Sequence, residues 1–243
     1  MSLTIALLGY GKMGRLLDRL ATERGHRVVL RIDREQRATL TGEQLRAADV
    51  AIDFSHPEAG FDNAKFCLQA GVPLVSGTTG WMDRFGEIER LCKERGGAFF
   101  YASNFSVGVN LFFALNRYLA RLMNEQTAYR PTLTETHHTA KVDAPSGTAI
   151  TLAEGILAEL DRLNEWHRGS TEATDLLPVL SHRIDPTPGT HEVVYESEED
   201  TLRIEHVAHG REGFARGALR AAEWLVGKRG VYGMSDLLDE VAG

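Results

Sequence analysis

LTIALLGYGKMG, residues 3–14, decides the fold. A short apolar run ends in glycine, a G-x-G-x-x-G fingerprint follows, and RLLDRLATERG continues with apolar residues at helical spacing. Gly9 permits a tight turn, Gly11 lets the backbone approach a pyrophosphate, and Gly14 allows a helix to pack closely on its strand. Tyr10, Lys12 and Met13 complete the fingerprint, and the N–H groups of the helix start can take the phosphates. Asp33 lies 19 residues past Gly14, at the end of RVVLRID, where an acid accepts hydrogen bonds from an adenosine ribose. Glycines also end strands for structural reasons alone. With strand, helix and acid in register, dinucleotide binding is the reading. Asp33 repels a 2′-phosphate, yet Arg34 follows directly, with Arg31 and Arg37 nearby. These arginines are either a solvated edge or, for Arg34, a partner for adenine or the extra phosphate. The expected cofactor is NADH or NADPH, leaning to NADH.

Working outward, DVAIDFS (49–55), PLVSGTT (73–79) and AFFYASNF (98–105) continue a series of buried-type strands, the later ones separated by helical patterns. Such alternation predicts a parallel sheet with helices on both faces. The crossover between Asp33 and Asp49 is close to the minimum length. Ligands in such sheets bind beyond the carboxyl ends of the strands. Gly77, Thr78 and Thr79, and Ala102, Ser103, Asn104 and Phe105, are therefore expected to line the nicotinamide half of the cofactor, although ordinary turn chemistry also accounts for GTTG.

After Phe105 the pattern changes. VNLFFALNRYLARLMN reads as one long helix with apolar positions Leu111, Ala114, Leu115, Tyr118, Leu119 and Leu122. TLTETHH reads as a strand, TAITLAEGILAELDRL as a helix, and THEVVYES and TLRIEHVAH as an antiparallel pair across an acidic turn. FARGALRAAEWLVG carries small residues on one face and is expected to pack back on the first lobe. The fold class is α/β: a Rossmann-type parallel-sheet domain, residues 1–105 with 212–243, plus a smaller mixed α/β domain, residues 106–211.

Composition narrows the function. The chain has 243 residues, 43% hydrophobic and 25% charged, as in ordinary globular proteins. Its net charge of −7 argues against nucleic acid as a partner and requires a local positive site for any anionic ligand. No apolar run is long enough to span a membrane, and the start lacks signal-peptide features, so a cytoplasmic location is expected. Cys67 and Cys92 have no metal-ligand spacing and read as reduced packing residues; no metal is expected.

HHTAKVDAPSGTA, residues 137–149, gathers that local positive charge. Strand alternation sends His137 and His138 to opposite faces unless the strand ends at the pair. Ser146 is placed to cap the next helix, whose Gly147 and Thr148 then offer N–H groups at a positive helix end. His137, His138, Lys141 and this helix start suit a small dicarboxylate and include proton donors. Taken singly, each residue could equally be a cap, a satisfied histidine or a surface lysine.

The stretch closely resembles the H-H-x-x-K-x-D-x-P-S-G-T signature of the dihydrodipicolinate reductase (4-hydroxy-tetrahydrodipicolinate reductase) family. GYGKMG, DFSHPE (53–58), GTTG (77–80), ASNFSVGVN (102–110), PGTHEV (188–193), REGFARGA (211–218) and GVYGM (230–234) follow the family's order. The resemblance implies NAD(P)H-dependent reduction of a cyclic imine dicarboxylate to tetrahydrodipicolinate in diaminopimelate and lysine biosynthesis. It implies a second domain that binds substrate and builds a homotetramer. By the motif, His137 is the acid/base and Lys141 the proton donor, while His138, Gly147 and Thr148 contact substrate carboxylates. Gly9 to Gly14, Asp33, Gly77 to Thr79 and Ala102 to Phe105 match cofactor segments; Arg211 and Phe214 match a position near the hinge that helps close over the cofactor. Asp143 is read as an anchor for the loop or for Lys141. Three features depart from the family: the fingerprint is one residue shorter, the crossover after Asp33 is cut down, and LLPVLSHRIDPTPGTH replaces a glycine-rich stretch. The rival readings are another two-lobed reductase, such as an aspartate-type dehydrogenase, and a non-catalytic dinucleotide sensor.

Overall fold

The computed structural model describes residues 2–242. The chain divides into two units, Met1–Val107 with Arg211–Gly243, and Gly108–Gly210. These breaks lie within two residues of the boundaries read from the sequence.

In the first unit the apolar runs form β1 (Thr4–Leu8), β2 (Arg27–Ile32), β3 (Val50–Asp53), β4 (Leu74–Ser76) and β5 (Ala98–Tyr101). Between them lie α1 (Lys12–Glu23), α2 (Arg34–Arg37), α3 (Gly42–Leu45), α4 (Pro57–Ala70) and α5 (Phe85–Arg95). The second stretch of this unit adds α8 (Glu212–Leu225), β11 (Gly230–Tyr232) and α9 (Met234–Ala242). The sheet has the order β11-β5-β4-β3-β1-β2, with every pair parallel. Alternation along β1 sends Ile5 and Leu7 into a core shared with α1, α8 and α9, and Ala6 and Leu8 into one shared with α3, α4 and α5. Both faces are covered, which is why these strands read as continuous apolar runs. Each wholly buried Leu or Ile contributes roughly 1.5–3 kcal/mol.

The trimmed crossover is two four-residue helices, each opened by a capping box, Asp33 with Gln36 and Thr41 with Gln44. The small face of α8 packs inward as expected: Ala215, Gly217, Ala218, Ala221 and Ala222 are buried. A Cβ at Gly217 would stand 1.8 Å from the Phe105 carbonyl oxygen, so only glycine permits this approach.

The second unit contains α6 (Val107–Met123, whose first residue lies across the division), β6 (Arg130–His137), α7 (Gly147–Leu157), β7 (Glu165–Arg168), β8 (Leu176–Arg183), β9 (Gly189–Glu196) and β10 (Thr201–Ala208). Its sheet runs β10-β9-β6-β8-β7, antiparallel among the first three strands and parallel from β6 onward. Pro131, Leu133, Glu135 and His137 point to the face covered by α6 and α7, where Leu133, Val179, Val193 and Tyr195 join the core. The acidic turn does join β9 and β10 as an antiparallel pair.

One expectation is corrected. Of the six apolar positions read along α6 only Leu119 is buried; the core face is Val109, Phe112, Asn116, Leu119, Ala120 and Met123. The helix carries two apolar stripes, and the larger Phe112 and Met123 fill the space over β6 while Leu111, Leu115, Tyr118 and Leu122 stay about half exposed. Cys67 and Cys92 are free and buried, as read.

Candidate active site

The carboxyl ends of the parallel strands carry the first group of candidate residues. Gly9 has φ +90°, and a Cβ there would sit 2.2 Å from the Phe54 carbonyl oxygen. A Cβ at Gly14 would meet the Gly9 carbonyl oxygen at 2.2 Å, so α1 is seated directly on the turn. Gly11 has nothing within 4 Å and caps α1 without a side-chain hydrogen bond. That leaves N–H donors at a positive helix end, the arrangement a pyrophosphate needs. Lys12 is exposed and Met13 packs partly against the core. The Tyr10 hydroxyl donates to Asp18, which also accepts from Arg31 at 2.7 and 2.8 Å.

Asp33 Oδ1 accepts from the N–H groups of Glu35 and Gln36, so the acid that closes β2 also caps α2. Arg31 is held by Asp18, and Arg37 donates to Asn63 and lies over the Phe66 ring at 4.1 Å. Arg34 is exposed beside Asp33. Of the three arginines grouped by sequence, Arg31 and Arg37 are therefore drawn to separate partners.

Gly77 faces the Phe54 ring, which a Cβ would meet at 2.3 Å. Thr78 is buried and accepts from the Ser55 N–H, whereas Thr79 is exposed. Beneath them lies Asp53, the first residue of DFSHPE, wholly buried and bonded by Asn63 and Ser76. Burial pushes its carboxyl upward, against the pull of those hydrogen bonds. Ser103 is exposed, Ala102 and Phe105 are buried, and Asn104 accepts from the Ser106 N–H. The Phe105 side chain stacks on Phe100 and is core, leaving its main chain for any ligand role. Arg211 is the exposed N-cap of α8 and Phe214 is half-buried in its first turn, at the boundary where the chain re-enters this unit.

The second group sits at one end of the mixed sheet. Strand register stacks three rows on its covered face. Leu133 pairs with Val193 and Val179, then Glu135 with His191 and Ser181, and last His137 with Arg183. The apolar core thus turns polar over two residues. Strand β6 ends at His137, meeting the condition under which His137 and the half-buried His138 can serve one ligand. Ser146 caps the 11-residue α7 by accepting from the Ala149 N–H at 3.2 Å. Gly147 is exposed and Thr148 half-buried at that helix start.

The loop between them is braced. Lys141 Nζ donates to both Asp143 oxygens at 2.7 and 2.8 Å, the anchor read from the sequence, and this holds the Asp143 carboxyl below the usual range. Arg183 donates to the carbonyls of Asp143 at 2.7 Å and Lys141 at 3.2 Å. Asp185 accepts from the N–H and hydroxyl of Thr139. A cleft of about 410 Å³ opens on the β7–β8 side of this loop, lined by Lys141, Arg168 and Arg183 among others; His137 and Thr148 are not in its wall.

Burial lowers the His137 pKa, and Lys141 and Arg183 lower it further, while Glu135 offsets part of this. His191 is pushed down to about 4, first by burial and then by His137. Glu135, His137 and His191 have donor atoms within 4.8 Å of one another, the one grouping among the described residues that could gather about a metal ion. Glu135 Oε2 already accepts from the Ser146 N–H at 3.0 Å, and His191 Nε2 is hydrogen-bonded to Ser146 Oγ at 3.1 Å. Glu135, Arg183, Asp185 and His191 were not singled out from the sequence.

Comparison with known proteins bears on both groups. Residues 3–105 match the family model described as dihydrodipicolinate reductase, N-terminus, and residues 108–238 match the C-terminus model. The 4-hydroxy-tetrahydrodipicolinate reductase of Christiangramia forsetii is 43% identical over 240 residues, covering 98% of this chain and 99% of that relative. The enzyme of the same name from Pseudomonas fluorescens is 40% identical over 202 residues, covering 79% and 73%. Among solved structures, dipicolinate-bound dihydrodipicolinate reductase from Paenisporosarcina sp. TG-14 shares the fold with TM-score 0.77 at 22% identity, over 97% of this chain and 99% of that one. An amine dehydrogenase from Mycobacterium smegmatis shares it more loosely, with TM-score 0.58 at 9% identity over 95% and 94%. No helix among the described residues is long and apolar enough to cross a membrane. Both units match one family in chain order, and the chain belongs to the dihydrodipicolinate reductases, pyridine-nucleotide oxidoreductases that form tetrahydrodipicolinate in lysine and diaminopimelate biosynthesis.

Proposed function

We propose that His137 and Lys141 supply protons in this reduction, that His138 and the Gly147–Thr148 helix start hold the substrate carboxylates, and that NADH is the preferred cofactor, with NADPH accepted. The observation that carries the reading is the end of β6. It delivers His137 beside a braced lysine loop and a capped helix N-terminus, where an anion gains from N–H donors and the helix dipole.

Bound reduced nicotinamide supplies the hydride. Hydride addition to a conjugated imine leaves an electron-rich carbon and nitrogen, so a proton donor fixed nearby lowers the barrier, typically by about 10²- to 10⁴-fold in rate. Fixed carboxylates orient the ring. Lys141 is held in place by its pair with Asp143, which fixes its ammonium as a proton donor.

On the cofactor side, Gly9 to Gly14 and the uncapped start of α1 suit the pyrophosphate. Asp33 keeps Oδ2 outside its cap for a ribose hydroxyl, and Gly77 to Thr79 and Ala102 to Phe105 flank the nicotinamide half. Asp33 disfavours a 2′-phosphate and exposed Arg34 tolerates one. Arg211 and Phe214, at the unit boundary, are assigned to closure over the cofactor. A homotetramer is supported by apolar side chains left uncovered on β10, Leu202 and Val207, and on α6. The location is cytoplasmic, and the partners are a small dicarboxylate and neither nucleic acid nor membrane.

Titrating NADH and NADPH against enzymatically generated substrate tests the reading. It expects turnover with both and the higher kcat/KM with NADH, and Arg34→Ala to weaken NADPH more than NADH. Cofactor binding without turnover would contradict it.

A further inference from the structure

Glu135 is 0% exposed, yet it lies in the middle of a β-strand with no lysine or arginine closer than Arg183, 3.5 Å away. A buried carboxylate is costly unless its oxygens are satisfied. Oε2 accepts from the Ser146 N–H at 3.0 Å. The same oxygen stands 3.5 Å from His137 Nδ1 and 3.7 Å from His191 Nε2, so two imidazoles converge on it. His137 Nδ1 is itself buried and lacks any hydrogen-bond partner of ordinary geometry. An unpartnered ring nitrogen facing an unprotonated carboxylate is the arrangement that closes by a small rotation once Nδ1 carries hydrogen. Nε2 lies on the opposite side of the ring, against Gly189, where the missing side chain leaves room: a Cβ there would be 3.1 Å away. His191 is fixed by Ser146 and meets the His137 ring edge to face at 5.1 Å, limiting its rotation.

We propose that Glu135 is a positioning residue: its carboxylate holds His137 with Nδ1–H turned inward and leaves Nε2 as the atom that exchanges a proton with substrate. This rests on the reading of His137 as an acid. The charges facing His137 are Glu135 on its own strand, Lys141 and Asp143 on the following loop, Arg183 on β8 and His191 on β9. Among these, Glu135 does most to favour the imidazolium, with a smaller contribution from Asp143; burial, Lys141 and Arg183 oppose it. Burial of Glu135 is the strongest single influence and raises its pKa, but hydrogen bonding from Ser146 and Ser181 and the nearby His137 together outweigh it and hold the carboxyl below its usual range. Seen this way, the carboxylate sets both the tautomer and the protonation range of the ring, as a second group orients a catalytic base elsewhere.

The test is histidine NMR on the full-length protein labelled with ¹⁵N in its imidazoles, with Glu135→Gln and Glu135→Asp compared in steady-state kinetics. Neutral wild-type His137 should be the Nδ1–H tautomer. Glu135→Gln should lower its titration midpoint by about one pH unit. The same variant should lower kcat at neutral pH by about 10-fold or more, with KM for NADH changed less than about 2-fold and kcat partly recovered on acidification. Glu135→Asp should recover part of both effects. An Nε2–H tautomer in the wild type overturns the proposal without any variant, as does an unchanged midpoint in folded Glu135→Gln. Wild-type kcat in His137→Gln would instead remove the acid role of His137, while the tautomer and midpoint would still decide whether Glu135 orients it.

Discussion

A methyl group at Gly189 would stand 3.1 Å from His137 Nε2 and 3.3 Å from its neighbouring ring carbon, closer than the imidazole accepts without turning. Because the φ of Gly189 is not in the left-handed region, Gly189→Ala brings this crowding without backbone strain. It is expected to lower kcat by about 10-fold while shifting the melting temperature by only a few degrees. Steady-state kinetics and a thermal melt check this; an unchanged kcat would show that Nε2 needs no such space. At this scale much was legible. The roles of Gly9 and Gly14, the Ser146 cap and the Lys141–Asp143 anchor follow from short-range rules. Glu135 was within reach too, since alternation from Leu133 to His137 puts it on the same face. Arg183 and His191 were not, because only the register of strands far apart in sequence brings them to β6, and Asp185 reaches the loop after β6 only through Thr139. Nor does a charge count reveal that Arg31 and Arg37 are occupied by Asp18 and Asn63.

Strand β9 is the element whose burial sets the pH response. His191 is held down to about 4 from 6.5, mainly by burial. As pH falls below 6.5 the unfolded chain takes a proton there that the folded chain refuses until about pH 4. Stability therefore falls on acidification through that window, by on the order of 3 kcal/mol for the full difference. The lowered pKa of His137 acts in the same direction. Urea denaturation at pH 7 and pH 5 should show the loss, and His191→Gln should flatten it; an equally steep loss in that variant would place the sensitivity elsewhere. Element by element, the parallel strands β1 to β5 were readable because burial on both faces makes each an apolar run. Strand β7 was not, being EWHR with little apolar content at a sheet edge, and β8 carries Pro178, which argues against a strand. The stripe read along α6 faced outward because helical periodicity finds apolar faces without telling which of two meets the core.

For the whole molecule, the family and the division into two units were legible from motifs spread along the chain, and the comparisons bear out that family. The assembly is expected to be a tetramer, so light scattering after size exclusion should give four times the 26.9 kDa of the chain. A concentration-independent monomer would contradict that, and would leave Leu111, Leu115, Tyr118 and Leu122 facing water at a cost that monomeric proteins usually avoid. The central claim divides labour between units: nucleotide binding in Met1–Val107 with Arg211–Gly243, and proton supply in Gly108–Gly210. Lys141→Ala tests it most directly, with kcat from NADH oxidation and the NADH dissociation constant from fluorescence titration measured on one preparation. The account predicts kcat lower by about 10²-fold or more with NADH affinity within about 2-fold of wild type. Undiminished turnover, or a loss of NADH binding as large as the loss of kcat, would contradict it.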